Sequence, residues 1–366
     1  MDRRQFIKKS VTASVATGVV ASVAATVGVS PAHAKRKIKW KMVTTWPKNF
    51  PGLGSGANHL AKLINEMSGG RMKVKVYGAG EMVPAFEVFD AVSKGTAQMG
   101  HASAMYWKGK TPTAQFFSGL PFGFTAPEMN AWLYHGGGMK LWQELYADFG
   151  LVPAAAGNTG VQMAGWFNHQ INDLTDLKGL KMRIPGIGGE VLEKAGGTSV
   201  NIPGGEVYTS LKSGAIDALE WIGPYNDMAF GFHKIAKYYY YPGWQEPGTT
   251  LESMINKEAL EALPDDLQNI VLMACRSANA DMAAEFTAKN SSSLEILKTK
   301  HKVNIKRLPD DVLKELRTIA NDIVSDTASK NPMAKKVYES FSQFRKQVAA
   351  WHDVSELAYF NARGLG

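Results

Sequence analysis

What this chain lacks narrows its chemistry more than what it holds. Cys275 is the only cysteine among 366 residues, so no disulfide closes within the chain. Its neighbours Val271-Leu272-Met273-Ala274 read as a buried helix face, and a core thiol is the expectation. There is no G-x-S-x-G, H-E-x-x-H, phosphate-binding loop or Cys-x-x-Cys, the spacings that place a nucleophile, a zinc ion, a triphosphate or a redox dithiol. Gly186-Ile187-Gly188-Gly189 follows an apolar strand and opens a helix, but lacks the full glycine spacing of a dinucleotide site. The histidines are scattered, with no two at metal-ligand spacing on one helix. No block of five like charges occurs, which argues against nucleic acid as a partner. Beyond residue 34 no apolar run reaches membrane length.

The first 34 residues have the three-part layout of an export signal. Arg3-Arg4 is followed by Phe6-Ile7 and two lysines, then by a weakly apolar run from Val11 to Ser30, then by the small-x-small site Ala32-His33-Ala34. The rival reading is a membrane anchor, but the run contains no Leu, Ile or Phe and is diluted by Gly, Ser and Thr. The expectation is a cleaved twin-arginine signal and a mature chain that starts near Lys35 in the periplasm of a Gram-negative bacterium. Without the leader the net charge falls from +8 to about +5, a mild positive field able to gather small anions.

Length predicts two domains, each large enough for its own core. Ile38 to Thr44 and Met72 to Tyr77 alternate apolar and polar residues as strands do, and Ala57 to Met67 between them has helical spacing. A helix over Pro84 to Ser93 and a strand near Gln98 to His101 continue the strand–helix grammar of an α/β fold. Further strands are expected at 152–156, 161–167, 180–184 and 216–221. Helices are expected at 125–149, 188–195 and 205–213, and, in a mostly helical tail, at 257–280, 281–299, 309–329 and 332–363.

Four positions look suited to a ligand. Arg183 ends an apolar strand just before Pro185-Gly186, where α/β sheets place their ligands, and a guanidinium there grips a carboxylate with two parallel hydrogen bonds; the alternative is a salt bridge to a nearby acid. Glu220-Trp221 ends the strand Ile216-Asp217-Ala218-Leu219. A glutamate in such a run needs a partner such as a metal ion if buried, or else faces water from an edge strand. Gln162 sits in the apolar stretch Val161 to Trp166 and offers either an oxygen to a cation or an inter-strand hydrogen bond. Tyr106-Trp107, the run Tyr238 to Tyr241 and Trp244-Gln245-Glu246 either line a pocket or fill an interface.

These residues stand in a recognisable order. Gly78-Ala79-Gly80-Glu81-Met82-Val83-Pro84, Tyr106-Trp107-Lys108-Gly109-Lys110, Gly157-Asn158-Thr159-Gly160-Val161-Gln162-Met163, Asp176 to Arg183, Ile216 to Tyr225 and Tyr238 to Trp244 together resemble the solute-binding subunits of tripartite ATP-independent periplasmic (TRAP) transporters. The likeness is greatest to the branch that binds 2-oxo acids and lactate. The resemblance implies an α/β, two-lobed periplasmic binding protein fold with mixed sheets and a long bridging helix. It places residues 35–157 and 222–256 approximately in lobe I, and 158–221 and 257–366 in lobe II. It implies no enzymatic activity. A small organic acid would be held by Arg183, with Gln162, Trp221, Asn158 and Tyr106 around it. A sodium or calcium ion would be held by Gln162, Glu220, the main-chain oxygen of Trp221, and an acid or amide at Gln245 or Glu246, taken as Glu246. The membrane subunits of the transporter are the implied partners. A homodimer that exchanges the helix over Lys335 to Phe360 is a further implication, the alternative being a helix packed on its own lobe. A ligand-sensing module for a signalling partner is the second functional reading.

Overall fold

The computed structural model describes residues 37–365. The expected leader and its cleavage site lie outside the described residues. Among the described residues no helix is long and apolar enough to cross a membrane.

Strand order follows from where apolar faces alternate. In chain order the strands are β1 (Ile38–Thr44), β2 (Met72–Tyr77), β3 (Met99–Ala102), β4 (Leu151–Asn158), β5 (Gly165–Phe167), β6 (Lys181–Arg183), β7 (Thr198–Val200), β8 (Ala218–Leu219), β9 (Tyr238–Tyr241), β10 (Thr250–Asn256) and β11 (Asn304–Arg307). In β1, Trp40 and Met42 are buried while Lys39 and Lys41 stay in water, and β2 repeats this with Met72 and Val74 against Lys73 and Lys75. One sheet runs β2-β1-β3-β10-β4 and the other β11-β9-β5-β8-β6-β7. Each is mixed. β10 lies antiparallel between β3 and β4, and β5 antiparallel between β8 and β9. The α/β architecture with mixed sheets and a bridging helix is as expected.

The bridging helix is Asp265–Thr299, one element of 35 residues instead of the expected pair 257–280 and 281–299. No Gly or Pro interrupts it after Pro264, and Asp265 and Asp266 favour its positive first turn. A separate short helix, Lys257–Glu261, precedes it, capped by the Asn256 side chain. Leu267, Val271, Ala274 and Cys275 pack with Trp40, Met42, Leu60 and Ile64 of the first sheet's core. Met282, Phe286 and Leu297, further along, pack with Trp166, Leu219, Phe232 and Tyr239 of the second. One rod thus serves both cores. Cys275 is the core thiol expected, and burial pushes it up to about 12.

The chain passes between sheets after β4, after β9 and, through the long helix, after β10. The segment 222–256, expected approximately in lobe I, divides between the sheets: β10 pairs with β3 and β4 in the first, and β9 with β5 and β11 in the second. The Tyr239 ring stacks on Trp166 at 3.9 Å and anchors it there. The crossing therefore falls between Tyr241 and Thr250. The expected helix 125–149 is two, Ala126–His135 and Gly138–Ala147, broken where Gly137 takes φ +89°. The final helical stretch is Pro332–Val354 and Glu356–Arg363, broken at Ser355. Phe341 packs on Phe124 and Trp132, but Trp351, Val354, Leu357 and Phe360 remain exposed.

Candidate functional site

Two crossing segments run side by side between the sheets and build one wall of a cavity. Thr159 N–H donates to Thr249 O at 3.0 Å, Gln162 N–H to Glu246 O at 3.3 Å, and Gly243 N–H to Gln162 O at 2.9 Å. The approach is so close that a Cβ on Gly243 would lie 2.3 Å from the Gln162 carbonyl oxygen, so only glycine fits. This also explains why the strand expected over 161–167 begins only at Gly165. The backbone N–H groups of Gln162 and Met163 are bonded to the other crossing and to Ile222, and only from Ala164, which donates to Tyr240 O, does the segment meet the neighbouring strand.

The opposite wall comes from the second sheet. Arg183 ends β6 and pairs in register with Leu219 of the parallel strand β8, which places Glu220 beside it at the strands' carboxyl ends. The cavity holds about 310 Å³ of atom-free space, part of it open to solvent. Arg183, Glu220, Gln162, Glu246, Thr159 and Thr249 line its polar side, and Trp46, Leu53, Met105 and Leu251 its apolar side. Tyr106 and Trp221 also line it. Asn158 does not. Its amide donates to Gly248 O and Thr250 Oγ1, and its oxygen accepts from Gly160 N–H, so it braces the first crossing from behind. That places Asn158 behind the cavity wall, apart from the residues that line it.

Arg183 is 2 % exposed. Its Nη1 donates to Glu220 Oε1 at 2.5 Å and to Glu220 O at 2.9 Å, and its Nε to Ile202 O at 3.4 Å. The guanidinium lies 4.9 Å from the Trp221 ring centre. The salt bridge to a nearby acid, the alternative reading of Arg183, is present with Glu220, and the residue also lines the cavity. The guanidinium is also hydrogen-bonded to the Tyr106 side chain. Burial works against the charge, but Glu220, Tyr106 and Glu246 hold it above its ordinary range.

Glu220 is buried, which removes the reading of an edge glutamate facing water. Burial, reinforced by the Glu246 charge, lifts its carboxyl well above the usual range despite Arg183. Its Oε2 has no hydrogen-bond partner. Gln162 donates its amide nitrogen to Glu246 Oε2 at 2.8 Å, Thr249 Oγ1 at 3.0 Å and Thr159 Oγ1 at 3.2 Å, yet its Oε1 is also unpartnered. Glu246 is raised by burial and held down by Thr249, Arg183 and Gln162. Tyr106 is pushed up to about 12, chiefly by burial. Next to the site, Gln245 gives its nitrogen to Met163 O and leaves its oxygen unpartnered.

Unpartnered buried oxygens are unfavourable by about 1–3 kcal/mol each. A hard cation is the kind of partner that Gln162 Oε1 and Glu220 Oε2 lack. Amide, carboxylate and main-chain oxygens are the donors sodium and calcium prefer. Among the described residues no group of three His, Cys, Asp or Glu side chains is placed to share an ion. The residues present thus fit the expected ion. Thr249, Thr159 and Trp46 were missed from sequence. The threonines stand in ordinary turns, and Trp46 reads as the start of a loop that holds two prolines.

A further device crosses the cleft. Asn226 accepts from Trp221 Nε1 and donates to Pro51 O at 3.0 Å, while Phe50 stacks on Phe230 and meets Trp221 edge-on. The loop after β1 is thereby tied to the segment after β8.

The chain resembles known proteins along most of its length. It is 42 % identical over 99 % of its residues, and 98 % of the relative's, to a monocarboxylate 2-oxoacid-binding periplasmic protein of Nostoc. A TRAP periplasmic solute binding protein of Pseudoalteromonas atlantica, solved with sodium and pyruvate, superposes with a TM-score of 0.86 at 44 % identity, covering 89 % of this chain and 99 % of that one. Its counterpart from Colwellia psychrerythraea, solved with calcium and pyruvate, does so at 0.87 and 42 %, with the same coverage. Residues 42–331 match the family described as bacterial extracellular solute-binding protein, family 7, and the chain belongs to that family.

Proposed function

We propose that this chain is the periplasmic binding subunit of a TRAP transporter, a carrier and not an enzyme, which captures a small 2-oxo or 2-hydroxy monocarboxylate such as pyruvate or lactate. One observation carries this reading. Two unpartnered buried oxygens, Gln162 Oε1 and Glu220 Oε2, belong to residues that line the same cavity as the buried arginine Arg183. In the proposal, Arg183 receives the ligand carboxylate. Gln162, Glu220 and the main-chain oxygen of Trp221 hold a sodium or calcium ion, with Glu246 nearby. When bound, the ion supplies positive charge to the ligand's carboxylate and adjacent oxygen. Tyr106 closes the space beside Arg183, and the apolar side around Trp46, Leu53 and Leu251 takes the carbon tail.

Charge favours calcium. Glu220 and Glu246 are two buried acids against one guanidinium. A divalent ion and a monocarboxylate bring that set to neutrality, which makes its burial tolerable. Cleft closure around the ligand presents a surface for the membrane subunits. The relatives named above are transport binding proteins, so the sensing role gains no support. Export by the twin-arginine leader and dimerisation through the exposed apolar residues of the last helices complete the proposal.

A thermal-shift screen of small carboxylic acids on the mature chain, with and without calcium, tests it. Pyruvate or a close analogue raises the melting temperature, and more so with calcium. No shift with any 2-oxo or 2-hydroxy acid under either condition overturns it.

A further inference from the structure

Asp227 is a buried acid, 1 % exposed, on the short helix Pro224–Phe230 that follows the Glu220-Trp221 segment. It lines no part of the cavity and ion-pairs with no base among the described residues. Instead it collects four donors. Its Oδ1 accepts from the main-chain N–H of Ile222 at 3.3 Å and of Gly223 at 3.2 Å. Its Oδ2 accepts from Trp166 Nε1 at 2.9 Å and Tyr239 OH at 2.8 Å. Trp166 is on β5 and Tyr239 on β9, and Trp166 is in register with Leu219, the residue before Glu220. One carboxylate therefore joins the loop after β8 to the two strands beside it.

The geometry has a direct consequence for the ion. The N–H of Ile222 and the C=O of Trp221 are opposite ends of one planar trans peptide. A hydrogen bond that fixes where the N–H points also fixes where the carbonyl points. An anion accepting from that N–H polarises the peptide and places more negative charge on its oxygen. The next peptide is held as well, because Ile222 O accepts from Met163 N–H, one residue from Gln162. All four partners of Asp227 are donors, so the arrangement calls for the ionised form, and burial without a counter-ion makes that form expensive, lifting the group to about 6. A neutral asparagine cannot accept from all four. The fold retains a costly acid where a simple cap would not need one.

We propose that Asp227 is a positioning residue for the cation: it aims and polarises the Trp221 carbonyl and fixes Glu220 from behind, without touching ion or ligand. This rests on the reading that Trp221 and Glu220 hold a cation.

The test is calorimetric titration of calcium chloride into chelator-treated mature protein with saturating pyruvate, well below the melting temperature. Asp227→Asn, Tyr239→Phe and Glu220→Gln are compared with Val271→Ala, which weakens a remote core. Asp227→Asn lowers calcium affinity about 10–100-fold, as loss of a group behind a metal ligand does. Tyr239→Phe, which removes one of the four donors, lowers it several-fold. Val271→Ala lowers the melting temperature and leaves affinity unchanged. If the parent binds calcium, Glu220→Gln loses it, and Asp227→Asn matches the parent, the proposal alone fails. If Asp227→Asn does not fold, unchanged affinity in Tyr239→Phe overturns it. If the parent itself takes up no calcium, the underlying reading falls and the proposal with it.

Discussion

Removal of the Arg183 side chain should do two separable things. The guanidinium sits 2.5 Å from Glu220 Oε1, with both groups buried. Breaking a buried pair by deleting one partner leaves the other charge uncompensated and typically destabilises by about 3–5 kcal/mol, a large share of the roughly 5–15 kcal/mol that holds a domain together. Glu220 escapes part of this by taking up a proton, since its carboxyl is already raised by burial. The destabilisation of Arg183→Ala is therefore greater at pH 8 than at pH 5. Glu220→Gln in the same molecule removes the stranded charge. The double variant Arg183→Ala/Glu220→Gln should recover about 1–3 kcal/mol relative to the sum of the single changes. It should not recover binding, because neither the carboxylate anchor nor the ion's acid remains. Denaturant melts without ligand give the stabilities, and calorimetric titration of pyruvate gives the affinities. Additive single effects, or an Arg183→Ala protein that binds pyruvate like the parent, would refute the reasoning.

Other outcomes follow from the same geometry. Glu252 is buried on β10, accepts only from Trp107 Nε1 and Tyr146 OH, and is raised by burial from an ordinary 4.5 to about 7. The folded state thus holds this proton more tightly than the unfolded chain. The stability it contributes is full below about 4.5 and is lost as pH rises through about 7, about 3 kcal/mol in all. Glu252→Gln should flatten the fall in melting temperature across that window, and an unchanged slope would count against it. Chelator treatment and desalting should weaken pyruvate binding, with calcium restoring it at lower concentration than sodium. Equal potency of the two ions would contradict the charge count. Leu357→Asp with Phe360→Asp should turn a dimer into a monomer by light scattering, since these side chains are 51 and 52 % exposed on the final helix. A monomeric parent would remove the dimer from the account.

Much of this was legible in the residues. The alternation in Ile38–Thr44 and Met72–Tyr77, the strand end at Arg183 and the acid at Glu220 are local patterns, and local patterns decide which face is buried. The partnership of Gln162 with Glu246 was not readable from spacing, because it spans 84 residues and depends on two chain crossings lying together. The same holds for Thr249, whose neighbours give no sign of a ligand. Periodicity overextended the strand at 161–167 because apolar residues there serve the crossing and not a ladder. It also split the helix Asp265–Thr299, since an apolar stripe that serves two cores in turn loses its phase midway. Asp227 and Glu252 read as ordinary acids in a helix and a strand. Only the donors gathered from distant segments mark them.

The most direct measurement is a crystal structure of the mature protein grown with pyruvate and calcium. The account predicts the carboxylate on Arg183, with one ion bound by Gln162 Oε1, Glu220 Oε2 and the Trp221 carbonyl. An acid seated away from Arg183, or seated there with no ion among those oxygens, would contradict it.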